Sequence, residues 1–205
     1  MLTDMATRGR PRANDIDAGI RRAVVELVSA RGFNAVTIED VVRVAGTNKP
    51  AFYRRFSGLA EAVATLLTER YGTDEDVDTG SFAGDLLEIQ RRQATMFRDE
   101  FVVGALGSGL ERLRTAPEVA QPFVDRYLAP RRRFTHVLLA RAVERDELDP
   151  GTDADWVADV LTGPLLMRAL MPGLPPIDDE LVDRSVAVTL DSIGYRGDRS
   201  MLTAR

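Results

Sequence analysis

Cysteine is absent from the 205-residue chain, and histidine occurs once, at His136. The absence of cysteine excludes disulfides and thiolate metal sites. No apolar run approaches the ~20 residues that a membrane-spanning helix needs. The basic N-terminal residues precede no apolar stretch of the kind that a secretory signal contains. We therefore expect a cytoplasmic protein that does not enter a membrane.

Signatures of catalysis are missing as well. The sequence has no glycine-rich phosphate loop and no cluster of ligands with the spacing of a metal site. Acidic groups such as Asp99-Glu100 and Asp178-Asp179-Glu180 fit solvated helix faces or helix starts. We expect a protein that is not an enzyme and holds no cofactor or metal. Turnover of a small molecule would revive the enzyme alternative.

Charge is distributed unevenly along the chain. The formal net charge is −5, yet residues 1–57 carry ten Lys and Arg against six Asp and Glu. Residues 58–205 carry seventeen against twenty-six. An acidic chain is a poor non-specific ligand for a polyanion, but a basic N-terminal part can dock on phosphates. Small domains often differ by a few charges, so this asymmetry supports nucleic-acid binding only together with a motif.

Apolar residues recur at helical spacing in almost every long segment, and this periodicity predicts an all-α fold. Glycine, proline and N-capping residues, among them Asp153 and Asp178, divide the pattern into helices. The acidic stretch 72–80 (GTDEDVDTG) is the best candidate for a boundary between two parts. The predicted helices cover residues 15–31, 37–45, 48–56, 58–71, 81–103, 105–115, 118–146, 153–171 and 178–194.

Two short predicted helices, joined at Ala45-Gly46-Thr47, form the most informative feature of the sequence. Gly46 permits the positive φ that such a tight turn commonly needs. Two short helices behind a longer one are typical of a helix-turn-helix, whose second helix enters the major groove of DNA. The residues that then face the bases are Thr47, Asn48, Lys49, Pro50 and Ala51. Spacing alone leaves open an ordinary helical hairpin within a bundle.

The residue identities in this region are more specific than the spacing of its helices. The stretches GFNAVTI (32–38) and AGTNKPAFYRRF (45–56) resemble the DNA-binding signature of the TetR family of transcriptional regulators. The resemblance covers about residues 12–70. It implies a three-helix DNA-binding domain over 1–57 with an arm at 1–14, a connecting helix over 58–72, and a larger helical effector-binding and dimerisation domain over 73–205.

The resemblance also implies which residues meet the DNA. Thr37 and Asn48 match the residues that open the two motif helices, and Tyr53 matches a tyrosine that binds phosphate. The basic arm is expected to place arginines in the minor groove, although a solvated tail is the alternative. The predicted DNA contacts are Arg8, Arg10, Arg12, Thr37, Thr47, Asn48, Lys49, Pro50, Ala51, Tyr53, Arg54 and Arg55.

The sequence departs from the family signature at two positions. Leu59 replaces a lysine that contacts the DNA backbone in the family, so that contact is expected to be missing. Arg55 replaces the usual histidine and keeps a cation there. A helical interaction module that kept the fold but lost operator binding is therefore the alternative function.

For the C-terminal part the resemblance implies dimerisation and an effector cavity. The last two helices, 153–171 and 178–194, would pair with those of a second subunit, because two-fold operator half-sites need a dimer. The predicted function is sequence-specific binding of a palindromic operator in double-stranded DNA, with repression released by a small apolar or amphipathic effector. Its pocket would be lined by Met96, Phe97, Phe101, Leu110, Phe123, Tyr127, Trp156 and Met167, for which simple core packing is the alternative.

Overall fold

The structure, a computed structural model, describes residues 13–203. Within that range every regular element is helical, as the apolar periodicity predicts. A 3₁₀ turn covers Phe33–Ala35, and a π-helical segment covers Val124–Leu128. The α-helices are α1 (Ala13–Arg31), α2 (Ile38–Val44), α3 (Lys49–Tyr53), α4 (Leu59–Tyr71), α5 (Phe82–Phe97), α6 (Glu100–Thr115), α7 (Pro117–Phe123), α8 (Ala129–Glu144), α9 (Ala154–Leu170), α10 (Asp179–Ser192) and α11 (Ser200–Thr203).

The N-terminal helices are assembled around the apolar stripe of α1. Ile20, Val24 and Val28 recur at helical spacing on that stripe, and the solvent reaches none of them. Helix α1 packs against α2, α4 and α6, so the motif helices and the C-terminal helices share one support. The three-helix N-terminal unit is thereby docked directly on the larger C-terminal bundle.

The predicted helix over 81–103 is wrong at its C-terminal end. Helix α5 ends at Phe97, and α6 begins at Glu100 because the Asp99 carboxylate accepts the Phe101 backbone N–H at 2.8 Å as an N-cap. Gly104, the residue that separates the predicted helices 81–103 and 105–115, lies inside α6. The predicted helix over 48–56 is also too long, since α3 ends at Tyr53.

The predicted helix over 118–146 is interrupted by the π-helical segment between α7 and α8. Pro122 lies just before this segment and has no backbone N–H to donate to the preceding turn. A π-helical turn inside an α-helix is rare, and apolar periodicity does not reveal it. The terminal helix α11 was not predicted.

The C-terminal bundle forms one continuous apolar core with the N-terminal unit. Helices α9 and α10 pack against each other and both pack against α5. Asp153 and Asp178 cap α9 and α10 as predicted, each accepting first-turn backbone N–H groups. Among residues 13–203, no helix combines the length and the hydropathy needed to cross a membrane.

Candidate nucleic-acid interface and ligand cavity

The start of α2 is fixed by a reciprocal pair of hydrogen bonds. The Thr37 hydroxyl oxygen accepts the Asp40 backbone N–H at 3.2 Å, and the Asp40 carboxylate accepts the Thr37 backbone N–H at 3.3 Å. This capping box satisfies amides that have no partner within the helix. The Thr37 hydroxyl also donates to Asp40, and together with the neighbouring Arg43 it holds the pKa of that carboxyl below its usual range.

The turn between α2 and α3 depends on the backbone of Gly46. Its φ is +63°, in the left-handed region, and nothing lies within 4 Å of where a Cβ would be. The glycine is therefore required for conformation and not for close packing. The Thr47 backbone N–H donates to the Val42 carbonyl at 2.8 Å, and Asn48 caps α3 by accepting the Ala51 backbone N–H at 3.0 Å.

One face of this motif is buried in the core. Val41 and Phe52 are inaccessible to solvent, and Phe56 is almost so. Ala51, a predicted DNA contact, belongs to this face and is 2% exposed. Its short side chain lies on the side of α3 that packs against the core, so it is not exposed at the surface.

The opposite face of the motif is open to solvent. Tyr53 is 53% exposed although it is a large aromatic residue. Asn48, Lys49, Pro50, Arg54 and Thr37 are exposed as well, and Thr47 is half-buried. Most of the predicted DNA contacts among the described residues are thus accessible to solvent.

Lys49, the lysine of this surface, has an acidic neighbour. Its ammonium forms an ion pair with the Glu39 carboxylate from the first turn of α2. The hydrogen bond in this pair raises the pKa of Lys49 and lowers that of Glu39. Binding of a phosphate or a base by Lys49 would therefore compete with Glu39.

Arg55 lies behind the exposed face, unlike Lys49 and Arg54. Its Nε donates to the Asp17 carboxylate at 2.7 Å, and its Nη1 donates to the Ala51 carbonyl at 2.8 Å. These contacts hold α3 against α1. Leu59 is half-buried against the core, and Arg8, Arg10 and Arg12 lie outside the described residues.

A cavity of about 510 Å³ lies within the C-terminal bundle. Its walls are mainly apolar and come from α5, α6, α8 and α9. Predicted lining residues that border it are Met96, Phe97, Leu110, Phe123 and Tyr127. A volume of this size accommodates a small organic molecule.

Three predicted lining residues lie elsewhere. Phe101 is fully buried in the core, whereas Trp156 and Met167 are 50% and 53% exposed on α9. Apolar residue type does not distinguish a cavity wall from core or from an uncovered helix face. Polar lining residues were missed because helical periodicity does not reveal them: Asp74, Gln93, Arg131, Arg132, Thr135, Asp159 and Thr162.

One end of the cavity carries an ion pair between Arg131 of α8 and Asp74. Arg131 Nη2 lies 2.8 Å from Asp74 Oδ2, and both side chains are largely buried. Arg131 Nη1 also donates to the Gly72 carbonyl at 2.9 Å, at the C-terminal end of α4. Burial raises the pKa of the Asp74 carboxyl, while Arg131 and Arg92 oppose that shift. The cavity wall is thus bonded to the helix that follows the DNA-binding motif.

The outer faces of α9 and α10 carry large apolar side chains that the described residues leave uncovered. Trp156, Met167 and Val188 are each at least half exposed. Met171 and Leu174 lie exposed just after α9. Single exposed apolar residues are ordinary, but a group on two neighbouring helices is typical of a protein interface.

Family models match both parts of the chain. Residues 20–61 match the model described as bacterial regulatory proteins of the tetR family. Residues 76–189, more than half of the chain, match the model of the tetracyclin repressor-like C-terminal domain. The two matches flank the end of α4 and the loop that follows it.

Curated relatives and a solved structure resemble the chain over most of its length. The HTH-type transcriptional regulator YdeS of Bacillus subtilis is 26% identical over 81% of this chain and 84% of its own. The DNA-binding transcriptional repressor TetR of Mycobacteroides abscessus is 27% identical over 89% of this chain and 93% of its own. The regulator FadR from Bacillus subtilis, solved with stearoyl-CoA, superposes with a TM-score of 0.69 at 15% identity, covering 86% of this chain and 99% of FadR.

The sequence signature, the two-sided helix-turn-helix and these matches agree with one another. The chain belongs to the TetR family of helix-turn-helix transcriptional regulators.

Proposed function

We propose that this chain is a dimeric repressor that binds a palindromic operator through α3 and releases it when a small molecule fills the cavity. The observation that carries the proposal is the two-sided motif, with Phe52 buried and Lys49, Pro50 and Tyr53 exposed. A helix-turn-helix presents its recognition helix to the major groove in this way. We assign the chain no catalytic role and place it in the cytoplasm, with its DNA. Repression is also the activity stated in the name of the M. abscessus relative.

In the proposed complex Lys49 and Pro50 face the bases, and Tyr53 donates its hydroxyl to a phosphate. Arg54, Thr37 and Asn48 are exposed, and in this proposal they contact the adjacent backbone. The arginines of the 1–14 arm keep their predicted role in the minor groove. Because phosphate contacts release counterions, operator affinity should fall steeply with salt.

Dimerisation in this proposal uses the uncovered faces of α9 and α10. Trp156 and Met167 on α9 and Val188 on α10 supply the apolar side chains that a second copy would bury. A two-fold pairing would set two recognition helices about 34–36 Å apart, the spacing of successive major grooves.

The cavity supports binding of an apolar or amphipathic effector. Its walls are apolar, and its volume of about 510 Å³ exceeds that of a packing defect. FadR, a protein of similar fold, was solved with stearoyl-CoA. That complex supports the proposal only in that a regulator of this fold can hold a long-chain ligand.

Helix α4 is the proposed link between cavity and DNA. The Thr68 hydroxyl of α4 donates to the Arg126 carbonyl at 2.6 Å, and Glu61 pairs with the Arg126 guanidinium. Tyr127, beside Arg126, lines the cavity, and Arg131 holds the end of α4. The proposed division is therefore 1–57 for DNA binding, 58–72 as connector and 73–205 for effector and partner. An effector can bind more tightly to one placement of α4 than to another. The difference between these two binding free energies is then the most by which it can change the free energy of operator binding.

Selection of bound fragments from random duplex DNA tests the proposal. The full-length wild type and a Tyr53→Phe variant would be compared, because phenylalanine keeps the ring and removes the phosphate donor. We expect wild type to enrich a palindrome and Tyr53→Phe to enrich it less. If wild type enriches nothing at low salt, the operator-binding function is wrong and the interaction-module alternative stands.

A further inference from the structure

The Asp74 carboxylate at the cavity wall has one oxygen bonded and one oxygen open. The side chain is buried, with 6% of its surface exposed. Oδ2 lies 2.8 Å from Arg131 Nη2. Oδ1 is buried and has no hydrogen-bond partner among the described residues. Its nearest cation is Arg92, whose Nη1 lies 3.8 Å away, beyond hydrogen-bond distance.

An open acceptor of this kind points to a donor from outside the chain. A buried polar group without a hydrogen bond is costly, and native structures rarely contain one unless a ligand, ion or water serves it. Asp74 is one of the residues that line the cavity, so a molecule inside it can reach this carboxylate. The missing partner is therefore a hydrogen-bond donor.

The charges around the cavity indicate that the donor is neutral. Arg131 is already engaged by Asp74 and by the Gly72 carbonyl, and Arg132 is engaged by Asp155 and Asp159. An anionic head group would have to break one of these pairs. Asp74 is already paired with Arg131, and Asp76 and Glu88 are already paired with Arg92. A cationic head group would therefore enter the apolar cavity without a carboxylate of its own, which is costly. A hydroxyl adds no charge and supplies the proton that Oδ1 lacks.

We propose that the effector is a neutral, mainly apolar molecule whose hydroxyl donates a hydrogen bond to Asp74 Oδ1. This inference rests on the proposed function of the cavity and names the chemical class of its ligand. The hydroxyl would lie beside Arg131, which donates to the Gly72 carbonyl at the end of α4. A ligand in the cavity would thus lie next to the contact between Arg131 and Gly72, through which the cavity is proposed to act on α4.

Three probes with alkyl chains of nine or ten carbons separate the possible head groups: decan-1-ol, decyl methyl ether and decanoate. The ether accepts a hydrogen bond but cannot donate one, and the carboxylate adds a negative charge. Each would be titrated into the full-length protein by isothermal calorimetry, the alcohol and the ether below their solubility limits and decanoate below its micelle concentration. We expect decan-1-ol to bind at least about tenfold more tightly than either of the others, since hydrogen bonds to an ionised acceptor are the strong ones.

Asp74→Asn is the matched variant. Asparagine tolerates the positive φ of 62° at this position. Arg131 would hold the amide oxygen, so the amide NH₂ would replace Oδ1 and offer a donor in place of an acceptor. The variant should then bind the alcohol and the ether with similar affinity. If the variant does not fold, the comparison of alcohol with ether in wild type still tests whether the ligand must donate a hydrogen bond.

The outcomes distinguish this inference from the proposed function. Equal binding of alcohol and ether by wild type, or tighter binding of decanoate, would overturn the neutral-donor class while leaving an effector cavity in place. Failure of all three probes to bind would overturn the effector cavity as well. Ala158→Phe, which fills part of the cavity from α9, should weaken every probe that binds there.

Discussion

Gly104 in α6 lies against the main chain of Val28 in α1, and a Cβ at position 104 would be 2.2 Å from the Val28 carbonyl oxygen. Real Cβ atoms do not approach an atom this closely. The two helices meet backbone to backbone at this point. Beside it, the Asn34 backbone N–H donates to the Ser108 hydroxyl of α6 at 3.3 Å. The DNA-binding part and the cavity-bearing part are thus joined through α6 as well as through α4.

The first prediction concerns this close approach. Gly104→Ala should lower the free energy of unfolding by about 1–3 kcal/mol, the usual cost of overpacking, because the obstructing atom is backbone and cannot rotate away. Urea denaturation at fixed protein concentration measures the change.

Gly107→Ala is the control from the same helix. Its Cβ would meet only Leu170 Cδ2 at 3.6 Å, an ordinary contact. Alanine is the better helix former, so this variant should be neutral or more stable. Equal stability of the Gly104→Ala variant and wild type would show that α1 and α6 do not pack this closely in solution.

The second prediction concerns the ion pair between Glu39 and Lys49. Glu39→Gln should increase operator affinity a few-fold, because it frees the lysine and removes a negative charge from the surface facing phosphates. Lys49→Ala should weaken binding, with a salt slope reduced by about 1 if the lysine contacts phosphate. Fluorescence anisotropy at several salt concentrations measures both. Unchanged or weaker binding by Glu39→Gln would argue that α3 does not face the DNA.

The third prediction concerns the uncovered faces of α9 and α10. Val188 is 57% exposed, and Val188→Glu would place two like charges in the proposed dimer interface. The variant should be monomeric at concentrations where wild type is dimeric, and it should bind operator at least about tenfold more weakly.

The matched control for this interface is Val137→Glu. Val137 is 50% exposed on α8, outside the proposed interface, and its replacement should leave the dimer intact. Sedimentation velocity measures the oligomeric state. A Val188→Glu variant that remains dimeric would place the interface on another face.

The fourth prediction is a pH dependence of stability that depends on Asp17. Partial burial raises the pKa of its carboxyl, but hydrogen bonds from Arg21 and Arg55 outweigh burial and bring it below the ordinary value of 3.8. A carboxyl whose pKa is lower in the folded state contributes stability above 3.8 and loses it as the pH falls through the folded value.

Asp17→Asn should therefore make the protein less stable at pH 7 and flatten the loss of stability below about pH 4. Urea midpoints of wild type and variant across this range test the sign. Parallel curves for the two proteins would show that Asp17 is not held by these arginines.

Local signals predicted the helices that begin with a cap. Thr37, Asn48, Asp153 and Asp178 each accept first-turn amides, and the four helices start where the sequence indicated. A cap works within four residues, so the neighbouring sequence contains all the information needed. Gly104 was misinterpreted for the opposite reason: glycine in a helical pattern is locally a stop signal, but its role depends on α1, far away in sequence.

The candidate sites were predictable to different degrees for the same reason. The outer face of α3 follows from a local motif, and Tyr53 and Lys49 are exposed as expected. The polar end of the cavity joins Asp74 to Arg131, 57 residues apart, and no periodic pattern indicates that they meet. Trp156 shows the complementary error, because an apolar residue on a helix fits a cavity wall and a subunit interface equally well.

The most direct measurement is the affinity of the full-length protein for its selected palindrome relative to a scrambled duplex of the same composition. Both dissociation constants would be measured by fluorescence anisotropy at one near-physiological salt concentration, because specific and non-specific DNA affinities both depend on salt. We predict a ratio of about 10³ or more in favour of the palindrome, typical of sequence-specific regulators. Affinities within about threefold of each other, less than 1 kcal/mol of discrimination, would contradict the conclusion that α3 reads a DNA sequence.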